Sequence, residues 1–443
     1  MNRRWLPTPP TVLPAGRFPS GPPPVPVKIL HVITRFEAGA GGNTLLSAAG
    51  MDPRRYQVWV AGGEGGPLWE QAERDGVRIV RIAGFRREVA PVADLIVFLR
   101  LLRLLRRERF GIVHAHSAKG GFLGRLAGFL CRTPVIVYTL HGRDPWWPAS
   151  DSSDTELRKA MSGGLRAFLF LERVLRPVTH MFVAVSPSVA RDGVLARIAA
   201  PGRTDVAPSA VDLDRIPETA DQSVRVELGI PADVPLVGTV GRLDAQKAPL
   251  DFVRMAALVR ASRPDTRFVM VGDGQQAEEV RALANSLGVE ILFTGFRPDA
   301  ARVASAFDVF VVTSLYEGVG RSVTEAMASG RPVVATAVDG VVDLITPGAT
   351  GLLARPRRPD ELAASVCWLL DHPLEAEQMG AQARARVRLL FAPERMCAVL
   401  DEVYSRLLGM EPGSSGQPAQ ALSAWRDPSS PGAAMEQPMG VGE

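Results

Sequence analysis

The feature that most constrains this chain is an alternation. Short runs of β-branched residues are separated by longer amphipathic stretches, and the pattern occurs twice along the length. In the first half the runs fall at residues 27–33, 57–60, 77–82, 112–115, 135–140 and 181–185, with helical periodicity at 92–107, 122–130 and 157–175. In the second half they fall at 236–240, 267–271, 290–293, 309–312 and 332–336. Strand, crossover helix and strand in this order predict a parallel sheet covered on both faces. The expected fold class is therefore α/β, with two Rossmann-like, doubly wound parallel-sheet domains. A chain of 443 residues is long enough for both. The first domain is expected at 27–205 and the second at 235–390, joined by a Pro-, Asp- and Ala-rich connection at 206–234. A helix at 391–410 is expected to pack back on the first domain. The Pro-rich arm at 1–26 and the Gly/Ser/Pro-rich tail at 411–443 are predicted to be disordered.

Composition narrows the function classes. Hydrophobic content of 46% and charged content of 22% are globular values. No apolar run reaches the roughly 18–20 residues needed to span a bilayer. Arg3 and Arg4 are followed by proline rather than an apolar stretch, so a secretory signal is not expected. Cys131, Cys367 and Cys397 are scattered without metal-ligand spacing, which fits a reducing cytoplasm. Residues 1–205 carry 29 Lys and Arg against 16 Asp and Glu, and the remainder 22 against 31, so the halves are +13 and −9. Only the first half is suited to face something negative, either an anionic membrane surface or a phosphorylated acceptor. No nucleic-acid motif or set of interleaved stacking aromatics accompanies the basic residues, so nucleic acid is not an expected partner. An arginine-rich solvated surface is the plainer reading of the same charge.

In doubly wound sheets ligands bind beyond the carboxyl ends of the strands, and candidate chemistry lies there. The first run ends in Arg35-Phe-Glu-Ala-Gly-Ala-Gly-Gly-Asn43, where glycines let backbone N–H groups approach a phosphate or simply make a turn. His114, His116 with Lys119, and His141 follow two further strands. Each imidazole either donates to a phosphate or sugar hydroxyl or bonds a neighbouring carbonyl. No carboxylate accompanies them at ligand spacing, so no metal is expected. The run 236–240 leads into Gly241-Arg242-Leu-Asp-Ala-Gln-Lys247, two cations on one loop, suited to a diphosphate or to plain solvation. After 309–312 comes Glu317-Gly-Val-Gly-Arg-Ser-Val-Thr-Glu325. Its carboxylates can accept from sugar diols, with Glu325 expected in the first turn of the next helix. Ser322 to Glu325 also reads as a capping box, which would satisfy that helix without a ligand.

Assembled in order, these residues resemble retaining glycosyltransferases of family 4 across residues 27–408. The most specific parts are Gly241-Arg242 with Lys247, Val271-Gly-Asp-Gly274, Thr294-Gly-Phe296, and Glu317 to Glu325 followed by Ala-Met-Ala-Ser-Gly-Arg-Pro-Val-Val-Ala-Thr336. The resemblance implies GT-B architecture, two such domains facing a central cleft, and transfer with retained anomeric configuration and no metal or cofactor. It assigns Arg242 and Lys247 to the donor diphosphate, Glu325 to the ribose and Glu317 to the transferred sugar. Gly318, Val319, Gly320, Arg321, Ser322 and Val323 would complete the donor cradle, and Phe296 and Arg297 would lie near the base. Gly41, Gly42 and His141 would close from the first domain, His141 with a catalytic role.

The stretch from His116 to Gly128 resembles the branch that builds bacterial capsular, exopolysaccharide or O-antigen repeats on lipid carriers. The implied partners are a UDP-sugar donor and a lipid-linked saccharide acceptor; the expected location is the cytoplasm, and the +13 first half suggests peripheral attachment to the inner face of the plasma membrane. His116, Lys119, Trp146 and Trp147 are the acceptor candidates. Two departures stand out: Ser209-Ala-Val-Asp212 where many relatives have Asn-Gly-Val-Asp, and Arg143-Asp-Pro-Trp-Trp-Pro148 in place of the usual aromatic pattern. A UDP-sugar epimerase and a non-catalytic nucleotide-sugar-binding protein share the architecture. A dehydrogenase falls behind, because strand, G-x-G-x-x-G and downstream acid do not occur together.

Overall fold

A computed structural model describes residues 25–37, 39–142 and 163–413, with side chains in the last segment from residue 168 onward. The described residues divide into two compact units, one of those up to Val211 together with 393–413, the other from Asp212 to Ala392.

In the first unit the order is β1 (Val27–Ile33), α1 (Ala40–Ala49), β2 (Tyr56–Gly62), α2 (Leu68–Arg74), β3 (Arg78–Arg81), α3 (Pro91–Glu108), β4 (Ile112–His116), α4 (Ala118–Leu130), β5 (Val135–Leu140), α5 (Gly163–Leu175), β6 (Met181–Ala184), α6 (Pro187–Leu195) and β7 (Thr204–Val206). The seven strands form one parallel sheet in the order β3-β2-β1-β4-β5-β6-β7. Both faces are covered, which is why β5 reads as a mostly apolar run rather than an alternating one, while β4 places His114 and His116 on one of its buried faces. On one face Val97, Leu101, Leu102 and Leu105 of α3 pack with Leu123 and Ala127 of α4 against Leu30, Val32 and Val113. Helix α4 lies flush because its glycines permit it. A Cβ at Gly121 would meet the Tyr138 ring at 2.4 Å, and one at Gly120 the Thr34 nitrogen at 2.9 Å.

The second unit opens with a 3-10 turn at Leu213–Arg215 and continues through α7 (Gln222–Glu227), β8 (Leu236–Val240), α8 (Pro249–Ser262), β9 (Arg267–Val271), α9 (Ala277–Ser286), β10 (Ile291–Gly295), α10 (Ala300–Ser305), β11 (Val309–Val312), α11 (Arg321–Ala328), β12 (Val333–Thr336), α12 (Val341–Leu344), β13 (Leu352–Ala354), α13 (Pro359–Asp371) and α14 (Pro373–Leu390). Its six strands are also parallel, ordered β10-β9-β8-β11-β12-β13. The stretch expected as a plain connection, 206–234, thus holds the end of β7, the 3-10 turn and α7. The sheet core is built from Val237, Phe252, Met255, Phe268, Met270, Val309 and Val311 with Leu362 and Val366 of α13.

The last helix, α15 (Pro393–Leu408), belongs to the first unit. Arg55 and Tyr56 at the start of β2 hold it: Arg55 Nε donates to Asp401 Oδ1 at 3.1 Å, Arg55 Nη2 to Ser405 Oγ at 2.8 Å, and Tyr56 Oη to Asp401 Oδ1 at 2.7 Å. Among the described residues no helix is long and apolar enough to cross a membrane.

Candidate functional site

Strand order reverses between β8 and β11, so the loops after these two strands diverge at the switch point of the second sheet. The loop after β8 carries Arg242 and Lys247; the loop after β11 carries Glu317. They are laced together. Thr313 Oγ1 donates to the Lys247 and Ala248 carbonyls at 2.7 and 3.0 Å, Leu315 N to the Gln246 carbonyl at 2.8 Å, and Gln246 Nε2 to the Tyr316 carbonyl at 3.1 Å. Behind them the Val271-Gly-Asp-Gly274 segment presses on the β8 loop. A Cβ at Gly272 would lie 1.9 Å from the Gly241 oxygen, and one at Gly274 2.4 Å from the Leu243 oxygen. Glycine is required there for close approach.

Glu317 is buried, and its carboxylate forms an ion pair with Lys247 through Oε1. Ser314 Oγ donates to the same oxygen at 2.7 Å, and the Glu317 N–H donates to Asp339 Oδ2 at 2.9 Å. Asp339 reaches it from a backbone with φ +36°. Both side-chain bonds fall on Oε1, so Oε2 is the oxygen left to accept from a ligand. Arg242 is different. Its side chain is 60% exposed, with Nη2 donating to Gln246 at 2.8 Å and Nη1 3.0 Å from Asp244 Oδ2. A small open pocket at this edge is lined by Gly241, Arg242, Lys247, Thr313 and Ser314.

The expected capping box is not formed. Gly320, at φ +83°, caps α11, so Ser322 is its second residue and Glu325 its fifth, beyond the first turn. Glu325 instead accepts from Arg321 Nε at 2.8 Å, an i,i+4 pair. No side chain caps the first turn, so the N–H groups of Arg321 and Ser322, with the helix dipole, are suited to an anion. Val323 drops out of the predicted cradle, because its N–H bonds the Gly320 carbonyl at 2.9 Å and its side chain is buried. Phe296 is 77% exposed, as a base platform would be. Arg297 is not free. It forks onto Asp299 at 2.8 Å through two nitrogens and also bonds Glu227, and these bonds hold the Asp299 carboxyl well below the usual range.

In the first unit, Gly41 and Gly42 sit buried in the first turn of α1 rather than on an open loop, Gly41 close against the Phe36 backbone. The histidines form a chain along one sheet face. His31 is in register with His114, and His116 with Thr139, two residues before His141. His31 Nδ1 lies 2.8 Å from His116 Nε2, and His116 Nδ1 2.9 Å from His141 Nε2. His114 bonds the Tyr404 and Thr139 hydroxyls at 2.5 and 2.6 Å. Burial pushes His31 down to about 3 and His141 down to about 4, and holds His114 and His116 well below the usual imidazole value. The expectation that His116 touches an acceptor is corrected: it is 1% exposed, and both its ring nitrogens face other imidazoles. Lys119 is also committed, to Asp94 Oδ1 at 2.7 Å and to the Glu88 carbonyl. Trp146 and Trp147 lie outside the described residues.

Residues 43–215 match the Glycosyltransferase Family 4 profile and residues 234–372 match Glycosyl transferases group 1. The chain belongs to glycosyltransferase family 4. Among its relatives is the Escherichia coli UDP-Gal:alpha-D-GlcNAc-diphosphoundecaprenol alpha-1,3-galactosyltransferase, 28% identical over 322 residues, 71% of this chain and 80% of that protein. Another is the D-inositol 3-phosphate glycosyltransferase of Corynebacterium glutamicum, 27% identical over 76% of this chain and 84% of that one. The crystal structure of Anabaena HepE in complex with UDP and glucose superposes with a TM-score of 0.71 over 86% of this chain and 99% of that chain. At 21% identity it shares the fold, GT-B. The glycosyltransferase was legible from its spaced motifs. Ser314, Asp339, Gln246 and His31 were not singled out, and only His31 left a trace, as a polar residue in the middle of an otherwise apolar stretch, Ile29 to Ile33.

Proposed function

We propose that this glycosyltransferase moves a hexosyl or N-acetylhexosaminyl group from a UDP-sugar to a lipid-linked saccharide in surface polysaccharide synthesis. The observation that carries the donor half is the constellation at the β8/β11 switch point. Arg242 and Lys247 would take the diphosphate, and the uncapped start of α11, with N–H groups from Gly318 to Ser322, would take its remaining charge. Glu317 would hold hydroxyls of the transferred sugar and Glu325 those of the ribose. As the sugar–phosphate bond breaks, charge grows on the leaving diphosphate, and two fixed cations can stabilise it without a metal. The acceptor oxygen forms the new glycosidic bond, and its proton leaves with the departing diphosphate. Retention of configuration and independence of metals and cofactors follow from family membership in this reading.

The acceptor half is supported by the E. coli relative, whose name specifies a lipid-linked saccharide. Helix α3 supports it physically. Its Val97, Leu101 and Leu105 face is buried, but Val92, Leu95, Ile96 and Leu99 form a second apolar face at 45–76% exposure. Arg86, Arg87, Arg100, Arg103 and Arg107 are exposed around it. An apolar strip rimmed by arginine suits the cytoplasmic surface of an anionic membrane.

A thermal-shift panel of UDP-, GDP- and ADP-sugars, followed by transfer assays with a polyprenyl-diphosphate-linked saccharide, tests the reading. Stabilisation by a UDP-sugar together with transfer is expected. No stabilisation by any nucleotide sugar would overturn it.

A further inference from the structure

The histidine chain has an end inside the fold and an end outside it. His31 Nε2 is buried with no hydrogen-bond partner, whereas its Nδ1 faces His116. His116 uses both nitrogens on other imidazoles, and His141 uses Nε2 on His116. Among the described residues His141 Nδ1 has no protein partner, and His141 is half-buried at the carboxyl end of β5. Three neutral imidazoles in series carry three protons, and the two bonds between them must point the same way because His116 has one proton to give.

The buried end selects the direction. If the protons ran inward, His31 Nε2 would carry an N–H with no protein group among the described residues to receive it, at a fully buried position. If they run outward, the same atom is a bare lone pair. Orphaned buried N–H groups are the rarer of the two defects in folded proteins. Outward running gives His31 Nδ1–H donating to His116 Nε2, His116 Nδ1–H donating to His141 Nε2, and His141 presenting Nδ1–H beyond the strand end. His114 stands beside this chain without entering it, since its nitrogens are taken by Tyr404 and Thr139.

We propose that His31 and His116 are positioning residues that hold His141 in the Nδ1–H tautomer, so that it donates to an oxygen of the sugar substrate as a neutral group. This rests on the glycosyl-transfer reading for the substrate, but the tautomer itself does not. Free histidine favours Nε2–H, so the chain would impose the minor form. Desolvation keeps the imidazoles uncharged at neutral pH, so what His141 offers at the end of β5 is a neutral N–H.

The test uses the full chain labelled with ¹⁵N-histidine. With six histidines, the long-range ¹H–¹⁵N spectrum is assignable by single substitutions. The expected spectrum shows His141 protonated at Nδ1 and bare at Nε2. In His116→Leu the Nε2–H form should return. In His116→Asn, whose amide N–H stands near the position of Nδ1, the Nδ1–H form should be kept. In transfer assays His116→Leu should lower kcat about tenfold with little change in donor KM, the loss of one hydrogen bond in the transition state, and His116→Asn should recover most of it. Nε2–H on His141 in the unsubstituted protein overturns the proposal whether or not either variant folds. So does a stoichiometric divalent metal held by His31, His114 and His116, whose nitrogens lie within 4.8 Å of one another, because ligation would take the lone pairs the chain uses. Donor-induced stabilisation of the unsubstituted protein is read separately; its absence counts against the transfer reading and leaves the tautomer result standing.

Discussion

Lowering the pH from 7.5 to 5.5 should strip much of the stability of the first unit. His31, His114, His116 and His141 have an ordinary value of 6.5, and in the fold all four are displaced downward, His31 to about 3 and His141 to about 4, by burial. Over this window the unfolded chain binds protons that the folded chain refuses. Stability is therefore complete above 6.5 and is lost as pH falls from 6.5 toward the folded values. One imidazole with an ordinary unfolded value contributes about 1.4 kcal/mol of loss between pH 7.5 and 5.5, and four contribute roughly 5–6 kcal/mol. That is comparable to the whole stability of a typical domain, about 5–15 kcal/mol. For a unit of this size it corresponds to a fall in Tm of roughly 10–25 °C. His180, also depressed by burial, adds to the loss, while Glu172, whose carboxyl is raised by burial, opposes it by at most one group's worth. Ordinary carboxylates titrate below the window. The second unit contains one histidine, His372, so it serves as an internal reference. Hydrogen exchange at several pH values, corrected for intrinsic rates, should show amides of β1, β4 and β5 losing protection while those of β8, β9 and β11 hold theirs. Equal protection of β4 and β5 at both pH values would refute the claim that these imidazoles stay neutral when folded.

Three further outcomes are expected. Gly274→Ala should weaken donor binding without altering any group proposed to touch it, because its methyl would force the Leu243 backbone, and with it the Arg242 loop, to move; overpacking of this kind costs about 1–3 kcal/mol, and unchanged donor affinity would contradict it. Arg125→Met should destabilise the first unit by about 3–5 kcal/mol in denaturant titration, since it leaves Glu172 buried and unpaired, and adding Glu172→Gln should recover part of that loss. Leu95→Gln with Leu99→Gln should abolish sedimentation with anionic vesicles at low salt while leaving Tm unchanged, both side chains being about half exposed; persistent binding would move the contact elsewhere.

The parts of the fold that were legible from sequence are those where one physical requirement dominates. β11 announces itself because a strand buried on both faces is apolar throughout, and the helices between strands do so because one face must be. β7 and β13 were missed: each is three residues long, too short for any period to register, and each is an edge strand held mainly by its single neighbour. The pattern Ser322 to Glu325 satisfied a capping rule that the chain does not use, because Gly320 at positive φ starts the helix two residues earlier. Lys247 and Glu317 were found, but their pairing, and the Ser314 and Asp339 bonds that hold Glu317, depend on two loops from different strands meeting. No spacing encodes that. The pairing also changes which substitution is informative. Lys247→Ala would leave a buried carboxylate unpaired and damage the unit, whereas Arg242 is largely exposed and can be removed with little structural consequence.

The central claim is that a nucleotide sugar is bound at the β8/β11 switch point by these side chains without a metal, and calorimetric titration in excess EDTA tests it most directly. The unsubstituted protein should bind a UDP-sugar, and Arg242→Ala should bind it roughly 10- to 150-fold more weakly, the range for losing one charge-assisted contact. Equal affinity of the two proteins, or binding that appears only when Mg²⁺ or Mn²⁺ is restored, would contradict the account.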